Sequence, residues 1–202
     1  MLTGLPNLLT LSRIVAIPVF VWLFFVPAGW ARFAACAVFV GAALTDFFEG
    51  YLARAWRQQS TIGRILDPIA DKLLVSAAIV MLVAVNRITG YDVLPALVIL
   101  CREILISGMR EYLAGLRISV PVSRWAKWKT GVQMTAIGLL IVAGDMPPLL
   151  PLDSIGDAGL WTAAALTIVT GCEYARAAFV HLRLAEPRGV VDGAARPLRP
   201  LG

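Results

Sequence analysis

Apolar residues run in long unbroken stretches along this chain, near residues 8–27, 31–53, 63–88, 92–113, 124–144 and 158–182. Each stretch is close to or above the ~20 residues a helix needs to cross the hydrocarbon core of a bilayer. None alternates apolar with polar at every second position, as the strands of a membrane barrel would. Since only helices or closed barrels satisfy the backbone in lipid, the pattern predicts an all-α integral membrane fold of six transmembrane helices. The polar connections are short, so sequential neighbours should be antiparallel. Residues 1–7 (MLTGLPN) read as a short entry segment with Asn7 as an N-cap, and Pro147 to Pro151 as a turn-rich loop within a fifth connection over 144–157. One domain over 1–184 follows, without internal repeats. From Glu186 the aperiodic EPRGVVDGAARPLRPLG predicts a disordered tail over 185–202.

Composition strengthens the membrane reading. Of 202 residues 59% are hydrophobic and 15% charged, and the mean hydropathy is +0.79; a soluble domain carries about a quarter charged residues. The first residues lack a basic run and an A-x-A-like site, so a cleaved signal peptide is not expected. Cys36, Cys101 and Cys172 all fall inside apolar stretches and read as small core residues rather than a disulfide framework.

The charges give an orientation. Arg54, Arg57 and Arg64 flank the second connection, and Arg117, Arg124, Lys127 and Lys129 surround the fourth. Arg183, Arg188, Arg196 and Arg199 follow the last stretch, whereas the fifth connection holds Asp145, Asp153 and Asp157 with no Lys or Arg. The positive-inside rule puts both termini and the second and fourth connections in the cytoplasm, as an even helix count also requires. The net charge of +5 fits this asymmetry and anionic headgroups; no nucleic-acid motif is present.

Against this apolar background, DFFEGYLARAWRQQSTIGRILDPIAD between Asp46 and Asp71 places four carboxylates at membrane depth, where ionised groups are expensive and usually functional. Asp46 and Glu49 are three apart, with Gly50 and Ala53 continuing their helical face; Gly63, Asp67 and Asp71 recur every four residues on the next. Two acidic faces joined by a short connection would meet, and four like charges repel unless divalent cations sit among them. All-oxygen ligation suits Mg²⁺, Mn²⁺ or Ca²⁺ and not zinc. Two such ions would clamp a diphosphate. Gly50, Ala53 and Gly63 lack bulk and would admit a nucleotide or a close helix, and the planar fork of Arg54 suits a phosphate. The competing reading is a cation-coupled transporter, which would need carboxylates near the midplane and broken helices in both halves; these acids cluster at one end of one half.

The string D46-x2-E49-G50-x2-A53-R54-x8-G63-x3-D67-x3-D71 closely resembles the signature of the CDP-alcohol phosphatidyltransferases, whose usual pattern has Asp where this chain has Glu49. The resemblance covers roughly residues 5–180 and includes the opening PNLLTLSRI. LDPIADKLL, CREILISGMRE and WAKWKTGVQ look most like the branch that joins CDP-diacylglycerol to sn-glycerol 3-phosphate. It implies that Asp46, Glu49, Asp67 and Asp71 bind two divalent cations, Mg²⁺ or Mn²⁺, and that Gly50, Ala53, Arg54 and Gly63 line the CDP site. Asp71 would take the proton of the acceptor hydroxyl. The resemblance further implies a bacterial inner-membrane enzyme facing the cytoplasm, surrounded by membrane lipids and acting as a homodimer. An anionic acceptor calls for a basic site, with Arg102, Arg110, Lys129 and Arg176 as candidates and Arg124 and Lys127 nearby. Arg102 and Arg110, eight apart, would share a face; Arg102 could instead pair with Glu103 or Glu173, and Arg124 and Lys127 could snorkel to headgroups. Inositol phosphate, phosphatidylglycerol and serine stand as alternative acceptors.

The remaining polar residues read as structural. Asn7, Thr10 and Arg13 share a face of the first stretch and serve better as anchors than as diphosphate ligands. His181, the one histidine, sits at a helix exit. Trp30, Trp125, Trp128 and Trp161 mark segment ends, as interfacial residues do, and the small-residue runs AACAVFVGAA and TAAALT predict close helix packing or a dimer face.

Overall fold

The computed structural model describes residues 5–56, 61–116, 125–146 and 150–185; residues 5–9, 46–56, 61–68, 71, 126 and 184–185 are described through the backbone alone. Among these, six α-helices and two single 3₁₀ turns make up the regular structure. The helices are α1 (Leu5–Leu23), α2 (Gly29–Trp56), α3 (Thr61–Ala84), α4 (Val93–Gly115), α5 (Trp125–Val142) and α6 (Leu152–Ala185). The six apolar stretches thus each become one helix. The proposed tail lies, apart from Ala185, outside the described residues, as does the expected loop at 147–149.

The largest boundary difference is at α6, which starts at Leu152 and takes over part of the expected fifth connection. Proline is pre-set for the start of a helix, and here the Ile155 N–H donates to the Pro151 carbonyl at 3.0 Å. Asp153 in the first turn complements the helix dipole. At the other end of α3, Asn86 takes the left-handed conformation (φ 58°). Arg87 N–H donates to the Leu82 carbonyl at 2.8 Å and Asn86 N–H to that of Val83 at 3.1 Å. This is a Schellman stop, which asparagine tolerates better than most residues.

Helix α1 packs on α2 and α3, α5 on α2 and α6, and α4 on α3 and α6. The main apolar core, including Phe20, Phe39, Leu74, Leu82, Ile99, Ile137, Leu140 and Leu160, draws on all six helices. A second, smaller core of Ile106, Leu113, Tyr174 and Ala178 joins α4 to α6 alone. Contacts climb together along these two helices. Trp161 Nε1 donates to Asp92 Oδ1 at 2.8 Å, Arg102 reaches Thr170 and Arg110 overlies Tyr174. Helices α4 and α6 therefore run parallel. Helix α5 runs against α6, because Leu140 faces Gly156 and Ala136 faces Gly159. The directions alternate along the chain as the short connections require.

At one end of the bundle, Arg32 at the start of α2 and Arg87 beyond α3 both approach Asp145 Oδ2, at 4.0 and 3.9 Å. The Arg32 guanidinium also lies 4.4 Å from the Phe24 ring centre. The acidic fifth connection thereby neutralises two arginines at its own end of the molecule.

Large apolar side chains cover the outside, among them Leu11, Val15, Trp22, Phe25, Ile104, Leu105, Ile168 and Phe179. Trp30, Trp125, Trp128 and Trp161 are exposed as well. Among the described residues one helix is long and apolar enough by itself to cross a membrane, Leu152–Arg183, and Thr10–Leu23, Gly29–Thr45 and Lys72–Ala84 form shorter apolar segments. The acidic residues lie in the last turns of α2 and the first turns of α3, and Arg102, Glu103, Arg110 and Glu111 lie in α4.

The cysteines correct one expectation. Cys36 is half-buried, its thiol donating to the Gly138 carbonyl at 3.6 Å, but Cys101 and Cys172 are exposed on the outer surface rather than in the core. Thr10 and Arg13 are both buried at 1% exposure on α1, facing the interior of the protein. The small-residue runs pack within the chain, with Ala35 and Ala42 of the first and Ala163, Ala164 and Thr167 of the second all buried.

Candidate active site

Polar residues are expensive inside an apolar bundle unless they are paired, and this interior holds a layer of them. Arg102 and Glu103 come from α4, Lys129 and Gln133 from α5, and Thr167 and Thr170 from α6. Along α4 the layer falls between Ile99 of the main core and Ile106 of the smaller one. Lys129, Gln133, Thr167 and Thr170 are each at most 5% exposed.

The pairing converges on one carboxylate. Arg102 Nη1 donates to Glu103 Oε1 at 3.2 Å, and Lys129 Nζ donates to the same oxygen. Arg102 Nη2 donates to Thr170 Oγ1 at 3.1 Å, and that hydroxyl donates to the Leu166 carbonyl at 2.8 Å. Gly171 makes this possible: a Cβ there would stand 3.2 Å from Arg102 Cγ and 3.3 Å from its Nε. The arginine lies closely across the notch at Gly171. Arg102 Nε, Gln133 Oε1 and Thr167 Oγ1 are buried without a hydrogen-bond partner among the described residues. Such orphaned groups are uncommon in a stable interior and gather where a site receives something polar.

Lys72 of α3 acts electrostatically on Glu103 as well, which ties the layer to the acidic motif. Counting from the turn between α3 and α4, Lys72 lies 12 residues before Ala84 and Glu103 10 residues after Val93. At 1.5 Å per residue these are about 18 and 15 Å of helix, within one helical turn of each other.

The motif itself is distributed as its spacing predicts at the level of the backbone. Asp46, Glu49, Gly50, Ala53 and Arg54 occupy the C-terminal turns of α2, and Gly63, Asp67 and Asp71 the first half of α3. These two helices touch. The side chains of all eight residues lie outside the described residues. No group of three or more His, Cys, Asp or Glu residues stands elsewhere among the described residues as a rival metal site.

The four cations named for an anionic ligand do not form one cluster. Arg102 and Lys129 are brought together by Glu103. Arg110 shares the α6-facing side of α4 with Arg102 but is exposed, 5.8 Å from the Tyr174 ring centre. It lies two turns further on, about 12 Å along the helix. Arg176 is exposed and enters no ion pair among the described residues. Lys127 is exposed, as a headgroup anchor would be, and Arg124 lies outside the described residues. His181 Nδ1 lies 2.8 Å from the Ala177 carbonyl, a local helix contact. Sequence reasoning undervalued Glu103, Gln133, Thr167 and Thr170. For Glu103 a signal was present, an acid at membrane depth beside an arginine; Gln133 and the threonines offered none, being uncharged residues at home in any helix.

Comparison with known proteins covers the same span as the site. The family model described as CDP-alcohol phosphatidyltransferase matches residues 3–169. A protein of Rickettsia bellii (strain RML369-C) named CDP-diacylglycerol–glycerol-3-phosphate 3-phosphatidyltransferase is 46% identical over 174 residues, 86% of this chain and 94% of the relative. Proteins with the same name from Pseudomonas fluorescens and Cereibacter sphaeroides are 42% and 36% identical. Each alignment covers 89% of this chain, with 92% and 97% of the respective relative.

Proposed function

Because the chain belongs to the CDP-alcohol phosphatidyltransferase family, we infer that it is an enzyme that transfers the phosphatidyl group of CDP-diacylglycerol to sn-glycerol 3-phosphate. The products are phosphatidylglycerophosphate and CMP. The observation that carries the acceptor is the pairing of Arg102 and Lys129 on Glu103. Two cations on one anionic oxygen make a cradle for a phosphomonoester, which serine lacks and phosphatidylglycerol presents only as a diester.

Asp46, Glu49, Asp67 and Asp71 would hold two divalent cations, Mg²⁺ or Mn²⁺, a fit supported by an all-oxygen donor set on two touching helices. Bound there, the ions would supply charge stabilisation to the diphosphate. Gly50, Ala53 and Gly63 leave room for the nucleotide, and Arg54 pairs with a phosphate. Arg102 and Lys129 orient the acceptor by its phosphate. Asp71 takes the proton of the acceptor hydroxyl, whose oxygen bonds to the β-phosphorus while the bond to the CMP oxygen breaks and CMP leaves with the electron pair. Phosphoryl transfer asks a protein mainly for positioning and electrostatics, and the named residues divide those tasks.

The apolar outer surface and its tryptophans support a multi-pass protein of the bacterial inner membrane. The basic residues around 117–129 support a cytoplasmic site and cytoplasmic termini. A homodimer belongs to the same proposal. In the test, purified protein receives CDP-diacylglycerol, Mg²⁺ or Mn²⁺ and radiolabelled acceptors. Label from glycerol 3-phosphate should enter the organic-extractable lipid. Preferential labelling by inositol phosphate or serine would replace the acceptor and keep the chemistry.

A further inference from the structure

The Glu103 carboxylate bridges the two cations assigned above to the acceptor phosphate. Its Oε1 accepts from Arg102 and from Lys129, one anionic oxygen bridging two cations. A phosphomonoester oxygen held by the same pair would make the same two contacts. The three side chains are 17%, 15% and 7% exposed in the order Glu103, Arg102, Lys129, so water screens them weakly and the competition is between charges. Arg102 does not depend on Glu103 for its place. A second bond to Thr170 and the notch over Gly171 hold the guanidinium from the α6 side.

We propose that Glu103 is an internal competitor for the acceptor phosphate: its carboxylate occupies the Arg102–Lys129 cradle in the empty enzyme and yields it to a phosphomonoester. This rests on the phosphatidyltransferase reading above. A phosphate carrying nearly two negative charges displaces a single carboxylate from two cations. A zwitterion such as serine does not, and neither does the single negative charge of a phosphodiester. Glu103 thereby sets acceptor affinity and selects phosphorylated acceptors. It is a specificity-determining residue, acting through Arg102 and Lys129 without touching the reacting atoms.

The test uses the full chain in detergent, as wild type, Glu103→Gln and Glu103→Asp. The KM for glycerol 3-phosphate, the KM for CDP-diacylglycerol and the inhibition constant of inorganic phosphate are measured for each. Glu103→Gln should lower both the acceptor KM and the phosphate inhibition constant by about tenfold, well within what one unit charge exerts on another at contact distance near a protein surface. The KM for CDP-diacylglycerol should stay unchanged. Glu103→Asp keeps the charge but withdraws it by one methylene, and both constants should fall between wild type and Gln. If Gln does not fold, the direction of the Asp shift decides alone. An ion pair of purely structural role costs stability and leaves both constants unchanged; that result, or a raised acceptor KM, overturns the proposal. A wild-type protein that releases no CMP with glycerol 3-phosphate removes the phosphatidyltransferase reading, and this inference with it, before any variant is compared.

Discussion

Gly171 and Arg102 are closely packed, since a Cβ at 171 would stand 3.2 Å from Arg102 Cγ and 3.3 Å from its Nε. Gly171→Val must push the guanidinium off Thr170, and overpacking of this kind costs about 1–3 kcal/mol where a neighbour cannot yield. The expected outcome is a rise of about tenfold in the KM for glycerol 3-phosphate, the equivalent of ~1.4 kcal/mol, with the KM for CDP-diacylglycerol unchanged. At Asp71 the expectation is in kcat. Asp71→Asn removes the proposed proton acceptor and should lower CMP release by about 10²–10⁴-fold, the usual contribution of a positioned base, while the protein still elutes as folded on size exclusion. Single residues were unevenly legible. Charges such as Asp71, Arg102 and Lys129 stand out because an apolar helix has no reason to carry them. The burial of Arg13 was not legible, because a helix that is apolar all round does not show which side faces lipid and which faces protein. The convergence of Arg102 and Lys129 on Glu103 joins residues 26 apart in sequence, and only the packing of α4 and α5 against α6 could reveal it.

Between elements, α5 and α6 approach each other closely. A Cβ at Gly159 would stand 2.9 Å from that of Ala136, and one at Gly156 2.7 Å from Leu140 Cγ. Gly131, further along α5, has nothing within 4 Å. The two sites predict opposite outcomes in a thermal or denaturant melt of the detergent-solubilised protein. Gly159→Leu should destabilise by about 1–3 kcal/mol through overpacking. Gly131→Ala should be neutral or stabilise by up to about 1 kcal/mol, the helix-propensity difference alone. Element existence was legible because each apolar stretch is long and bounded by polar turns. The start of α6 was not, because Pro151 and Asp153 read equally as loop residues or as the opening of a helix, and packing against α5 decides for the helix.

For the whole molecule, the arrangement concentrates chemistry at one level and leaves the outside apolar. Leu11, Trp22, Ile104, Phe179 and their neighbours face outward, a surface suited to acyl chains and not to water. The protein is therefore expected in the membrane fraction, resistant to extraction by high salt or alkaline carbonate and released by detergent. Recovery in the salt wash would count against the six-span reading. Fold class and helix number were legible at this scale, since hydropathy alone constrains them. The approach of Lys72 to Glu103 was not, because it depends on where the turn between α3 and α4 falls and how those helices lean together. The most direct test of the account is CMP release by purified protein given CDP-diacylglycerol and Mg²⁺ or Mn²⁺, with and without glycerol 3-phosphate. The account predicts release that requires both the metal and glycerol 3-phosphate and disappears in Asp71→Asn. Release that is indifferent to glycerol 3-phosphate, or that survives Asp71→Asn undiminished, would contradict it.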